Sequence, residues 1–302
     1  MMKIAFLISA HTDPSHLRRL INSLPDEAEY FVHVDAKTSI IPFKALLDDS
    51  RVHFTQQRIN IMWGSFGQVE YQMTLIKEAL ESSTHFDYLI SISGLDYPIW
   101  KNSQILQELE KNKGKEYLFA TCISGKSSNT TKLYREYRLL NTYPWKYGTL
   151  KSKFRVSLRY LLNALGIKKK LVIPCNGKLF KIYKGGSWWG ITSELAKYVL
   201  NVYESEPKFV KYFKTAFGPD ETFVHTIACN SSFAAECTIL DKEPIILEEL
   251  SPLTYIEYGN EIKIFTEDDF NTIIKSGKMF CRKTITGKSD RLLDMIDKYR
   301  KE

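Results

Sequence analysis

Residues 3–9 form a near-continuous apolar run, the mark of a strand covered on both faces. Asp13-Pro14 follows, an N-cap with proline at the first helical position, and opens a helix to about residue 24. The same signals predict strands over 30–34, 51–55, 86–91 and 116–121, with helices over 64–82 and 102–111, the latter closed by Gly114. Strands alternating with helices at these spacings imply βαβ units and an α/β fold with a mostly parallel sheet flanked by helices. Ligands in such folds lie beyond the strand C-termini, so chemistry is expected in loops 10–13, 35–38 and 93–100. Further along, the pattern predicts a strand over 185–191, a helix from 193 and a helix over 217–228. Short strands (245–248, 278–281) and helices (266–276, 290–299) complete the chain. Neither an internal repeat nor a linker interrupts it, which implies a single domain.

Composition narrows the class. With 302 residues, 44% hydrophobic and 25% charged, the chain can bury a sizeable core and is not disordered. Five widely spaced cysteines without a CxxC pair argue against a disulfide framework or a structural zinc site. The N-terminal apolar run lacks a small-residue cleavage site, and no stretch approaches the ~20 apolar residues of a spanning helix. The expected location is the cytoplasm or the inner face of its membrane.

The net charge of +7 is concentrated. From Tyr137 to Ser193, 57 residues contain twelve lysines and arginines and no acidic residue, and the rest of the chain is mildly acidic. Within this basic segment Phe154, Leu158, Leu161, Leu162 and Leu165 recur at helical spacing, and Lys168-Lys169-Lys170 follows Gly166. Such a helix packs on its own domain, or rests on anionic lipid through 151–170. Nucleic acid is not expected, since no recognised module accompanies the charge.

No GxxxxGK[ST] and no GxGxxG follows the first strand, so phosphate-loop and dinucleotide readings lose support. Asp96, in a loop after a buried strand, can take a sugar hydroxyl or a metal, or stabilise its own turn. No D-x-D follows a strand, and Glu267-Asp268-Asp269 reads as helix capping. Arg282-Lys283 offers a bidentate fork beside a point charge, suited to a diphosphate. Pro219-Asp220-Glu221 reads as a helix start, where a carboxylate stays ionised and can serve as a general base. His225, one turn on, reads as a satisfied polar residue. Trp188-Trp189, behind two glycines, form a stacking platform for a sugar or belong to the core.

In order, "HVDAK", "MWGSFG", "SGLDYPI", "KGGSWWGIT", "GPDETFVHTI" and "MFCRK" resemble the family of core-2/I-branching N-acetylglucosaminyltransferases and peptide O-xylosyltransferases, over about 3–297. The resemblance implies a GT-A-type, Rossmann-like fold. It further implies inverting transfer from a UDP-sugar, with no metal ion or other cofactor; the acceptor expected is a glycan, or a lipid-linked glycan if the basic segment rests on lipid. Residues 1–120 are then the nucleotide-binding half, and 121–302 the acceptor-binding and catalytic half. Glu221 matches the catalytic base, and Arg282 and Lys283 match the basic pair at the diphosphate, with Lys263 as a further diphosphate candidate. Asp35 matches a position at the nucleotide and Asp96 lies beside the donor sugar; His11 joins them as a donor-side candidate, and Trp188 and Trp189 remain acceptor-side candidates. The xylosyltransferase branch carries an aspartate base just after "GGS", where this chain has Trp188, which favours N-acetylglucosamine transfer with Glu221 as base. Without the anchor and disulfides of eukaryotic members, the chain is expected to be a bacterial relative that builds surface polysaccharide. The alternatives are a xylosyl-type transferase and a catalytically inactive carbohydrate-binding protein on the same fold.

Overall fold

A computed structural model describes residues 2–127, 131–141, 143, 146, 148–241, 246–259 and 261–302. Its central sheet is built from β1 (Ile4–Ala10), β2 (Glu29–Val34), β3 (Val52–Phe54), β4 (Tyr88–Ser93) and β10 (Gly190–Thr192), in the order β10-β4-β1-β2-β3. The pairs β4-β1, β1-β2 and β2-β3 are parallel, and only β10 runs antiparallel, against β4. The expected α/β class with a mostly parallel sheet is what forms. Alternation along β1 explains its apolar run. Ala5 and Leu7 face a core with helix α3 (Gly67–Glu81) and α6 (Ser193–Ser205), while Ile4, Phe6 and Ile8 face α1 (Pro14–Ser23) and α4 (Asn102–Lys111).

Local chemistry sets the helix starts. Asp13 adopts a left-handed conformation (φ 53°) and accepts the His16 N–H, with Pro14 behind it. The helix expected over 64–82 begins only at Gly67, because Gly64 (φ 70°) and the turn closed by Ser65 N–H on Met62 O precede it. Two short helices with proline in the first two positions, α2 (Ile41–Leu46) and α7 (Pro207–Phe213), were not expected. Neither were β5 (Asp96–Pro98) and the hairpin of β7 (Val172–Cys175) with β8 (Lys178–Lys181).

Three differences from expectation shape the site. The strand expected over 185–191 is two strands, β9 (Tyr183–Gly185) and β10, and the bend between them separates the environments of Trp188 and Trp189. The helix expected from 217 starts at Phe223 (α8, Phe223–Cys229), so Asp220 and Glu221 lie in the turn before it, closed by Glu221 N–H on Gly218 O. The strand expected over 245–248 does not form at Leu247–Leu250, which is a single 3₁₀ turn; Ile245 lies outside the described residues.

Further strands bring distant chain to the sheet's C-terminal edge. β6 (Phe119–Cys122) pairs with β9, and β13 (Phe280–Arg282) lies between β12 (Thr254–Ile256) and β5, with Arg282 opposite Asp96. The C-terminal helix α10 (Asp290–Lys301) seals a third apolar cluster through Leu292, Leu293 and Ile296. α5 (Leu150–Ala164) lies within the basic segment, and α9 (Phe270–Lys275) follows a 3₁₀ turn at Glu267–Asp269. Among the described residues, no helix is long and apolar enough to cross a membrane.

Candidate active site

A cavity of about 290 Å³ lies at the C-terminal ends of β1 and β2, where the sequence places ligand chemistry. His11 and Asp35 line it from the loops after those strands, Gln68 and Tyr71 from α3, and Trp188, Asp220, Glu221, Tyr258 and Arg282 from the second half of the chain. A larger cavity of about 760 Å³ lies between α1 and α10, but there Arg19 is paired with Asp294 and Asp297 and Arg300 is spent on backbone carbonyls and Asn102. The smaller one carries the reactive groups.

Arg282 is its fixed cation. Nη1 donates to Asp96 Oδ1 at 2.9 Å, the guanidinium lies 4.5 Å from the centre of the Trp188 ring, and the buried Nε has no hydrogen-bond partner among the described residues. A planar guanidinium clamped at one end and stacked on one face keeps its remaining N–H groups aimed. Asp96 has no exposed surface, and its other oxygen accepts the Ser93 N–H. Burial pushes its carboxyl above the usual range, with Arg282 opposing. This corrects the expectation for Asp96: it reaches neither donor nor metal, and instead positions Arg282.

Lys283 follows with a partly exposed side chain, and its backbone N–H donates to Lys263 O at 3.2 Å. His11 is pulled below the ordinary imidazole range by burial first and then by Arg282, Asp35 opposes, and Lys283 adds to the lowering. Lys263 itself is corrected: Nζ lies 2.6 Å from Asp269 and 3.0 Å from Glu257, so its charge is already paired outside the cavity. Asp269 also accepts the Thr266 N–H, which makes the acidic run a cap, as expected.

Glu221 stands on the cavity wall with Oε2 3.3 Å from Lys184 Nζ. Burial pulls the Lys184 ammonium down, but Glu221 and Tyr134 outweigh it and its pKa rises. Beside it Asp220 is buried and accepts from Ser187 Oγ at 2.7 Å and Gln68 Nε2 at 3.0 Å. Burial, then the Glu221 charge, pushes Asp220 up to about 6. The Gly185 N–H donates to Glu221 O at 2.8 Å, which ties the turn to β9. A Cβ on Gly185 would come within 2.1 Å of His225 Nε2 and 2.3 Å of Phe119 O, and one on Gly186 within 2.9 Å of Leu250 O. The two glycines thus allow close approach. His225 is buried beneath them and driven down to about 3 by burial, so it is a neutral packing residue.

His11, Asp35, Trp188, Glu221 and Arg282 therefore meet at one cavity. Trp189 does not: it has no exposed surface and packs in the core, which corrects its place on the acceptor side. The sequence reading gave no role to Lys184, to Asp220 beside Glu221, to Gln68 and Tyr258, or to Trp63, which is 89% exposed at the rim. For Trp63 the signal was present, a tryptophan before a glycine in the motif "MWGSFG". Lys184 opens the motif "KGGSWWGIT", but eleven other cations share its segment and nothing in residue type sets it apart from them.

Comparison with known proteins adds a family. The model of the Core-2/I-Branching enzyme family matches residues 4–273, a span that stops before Arg282 and Lys283. Xylosyltransferase sqv-6 of Caenorhabditis elegans is 25% identical over 243 residues, 77% of this chain and 27% of that protein. The beta-1,3-galactosyl-O-glycosyl-glycoprotein beta-1,6-N-acetylglucosaminyltransferase 4 of Mus musculus is 23% identical over 230 residues, 74% of this chain and 46% of that protein. The chain thus spans about a quarter of the one and under half of the other. Among solved structures, glucosyl-3-phosphoglycerate synthase from Mycobacterium tuberculosis aligns with a TM-score of 0.36 and 11% identity over 82% of this chain and 75% of that one, too slight a likeness to build on.

Proposed function

The chain belongs to the Core-2/I-branching enzyme family, and from that premise we propose that it transfers a sugar, N-acetylglucosamine, from a UDP-sugar to a glycan hydroxyl with inversion and without a metal ion. The observation that carries this reading is the meeting of Glu221 and Arg282 on one cavity, although 61 positions separate them. Glu221 takes the proton of the acceptor hydroxyl, whose oxygen bonds to the anomeric carbon as the bond to the UDP oxygen breaks. Arg282, with Lys283, meets the charge that develops on the leaving diphosphate. Asp35 and His11 stand where the nucleoside end would lie, and Trp188 carries Arg282 on its face. Lys263 is left out because its charge is spent.

Glu221→Gln should fold and bind UDP but fail to transfer sugar, as read by UDP release with a panel of UDP-sugars. Turnover at the wild-type rate would remove Glu221 as the base. EDTA should leave wild-type turnover intact, whereas inhibition reversed by manganese would end the metal-free reading. The panel also decides the donor, since faster release from UDP-xylose would favour the xylosyl alternative.

A further inference from the structure

α5 is inside out. Leu150, Phe154, Leu158, Leu161 and Leu165 follow at steps of four, four, three and four, so they share one face of the helix and its cap. In a soluble domain such a stripe ordinarily faces the core. Here Leu150, Phe154, Leu161 and Leu165 are 84%, 59%, 55% and 64% exposed. The opposite face makes the contacts: Ser152 is buried, Asn163 Nδ2 donates to Glu136 at 3.1 Å, and Arg159 Nε lies 3.7 Å from the same carboxylate. The helix is held mainly by its polar side and offers Leu150, Phe154, Leu161 and Leu165 to solvent, while Leu158 and Leu162 are half-buried.

Cations edge the stripe. Helical geometry puts Lys151 and Lys153 on its two sides, both exposed, with exposed Lys168 just beyond the helix. Beside it a cavity of about 600 Å³ is lined by Lys132, Arg135, Arg138, Arg159 and Lys168 against a single acid, Glu136, of a size and net sign to take anionic headgroups. A smaller cleft joins Arg155 and Arg159 to Trp63, the tryptophan at the rim of the candidate active site.

We propose that α5 is a membrane-surface helix that lies on a bilayer of anionic phospholipid, its leucine row among the acyl chains and its lysines at headgroup level. At about 22 Å it is too short to cross, so it lies in the plane. A second copy would bring the same positive field to its partner, and a nucleic acid offers phosphates but nothing apolar for the leucines. The bilayer supplies both at once. Docking there would bring the rim at Trp63 close to the surface, where a lipid-linked acceptor sits.

The test is co-sedimentation of the full chain with vesicles of phosphatidylcholine, with and without about a quarter phosphatidylglycerol. Binding should be about tenfold stronger or more with the anionic lipid, and should weaken as salt rises. Phe154→Ser with Leu161→Ser and Leu165→Ser should lose about tenfold or more, as should Lys151→Gln with Lys153→Gln and Lys168→Gln. Melting temperatures should not move, since these side chains are exposed. If the serine variant nonetheless melts low, Phe154→Trp alone reports instead: brominated lipid should quench its added emission. Wild-type binding indifferent to anionic lipid, or a serine variant that binds as wild type, overturns the proposal. So does a dimer in sedimentation velocity that the serine variant abolishes without any vesicle binding. No sugar donor is needed, and Glu221→Gln should bind vesicles as wild type, so failure here is separate from failure of the transfer reading.

Discussion

Arg282 and Asp96 form a pair that water hardly reaches, with 12% and 0% of their side chains exposed. Breaking such a pair from one side strands the other charge, at a cost of about 3–5 kcal/mol. Arg282→Ala should therefore lose about that much in urea unfolding at neutral pH, as well as turnover. Asp96→Asn with Arg282→Met, which removes both charges, should regain most of the stability and none of the activity. Equal destabilisation by single and double variants would deny the pairing. Asp220 makes a second case. Its carboxyl titrates near 6 folded and near 3.8 unfolded, so between about pH 4 and 6 the folded protein holds a proton that the unfolded chain has released. Stability from this group is present below pH 4 and lost as pH rises through 6, by up to about 3 kcal/mol. Asp220→Asn, which keeps an acceptor for Ser187 and Gln68, should match wild type below pH 4 and exceed it at pH 7; parallel curves in a chemical-denaturation series would count against this. Residue type and local signals marked Asp96 as an acid in a loop and Glu221 as one at a helix start. They could not tell that one touches the cavity and the other holds Arg282, because that depends on which distant residues face each carboxylate.

Among the elements, β9 and α8 are joined by the absence of a side chain. At Gly185 a methyl group would meet His225 and the Phe119 carbonyl at once. Gly185→Ala should lower the melting temperature by the equivalent of about 1–3 kcal/mol or more. His225→Ala should not rescue it, because the Phe119 backbone remains in the way. Full rescue would mean that the side chain was the sole obstacle. The long elements were readable because they repeat a period over many residues: β1, α1, α4 and the helix opened by Thr192 stand close to their expected places. α2 and α7, of six and seven residues, carry too few apolar positions to show a period, although Pro42 and Pro207 marked their starts. β5 has three residues and exists because β13 pairs with it.

Taken whole, the molecule closes its site with its C-terminal end. α10 packs on the β5–β13 pair, Arg300 donates to Trp100 O, Ser23 O and Asn102, and Asp297 accepts the Tyr97 hydroxyl and Arg19. Truncation after Ser289 removes three buried side chains, worth about 5–9 kcal/mol, comparable to a domain's entire stability. The shortened chain should lose cooperative unfolding and UDP binding together; a wild-type melting curve would show the end to be dispensable. By itself the sequence determined the α/β class, the long elements and the concentration of charge in one segment. These depend on periodicity and composition, which are properties of neighbouring residues. Only the tertiary structure decided that Arg282 lies against Trp188 and Asp96, that Lys184 stands beside Glu221, that Trp189 is core and Lys263 is spent, and that α5 turns its leucines outward. Each of these depends on what a distant part of the chain places opposite a side chain, and local pattern carries no record of that.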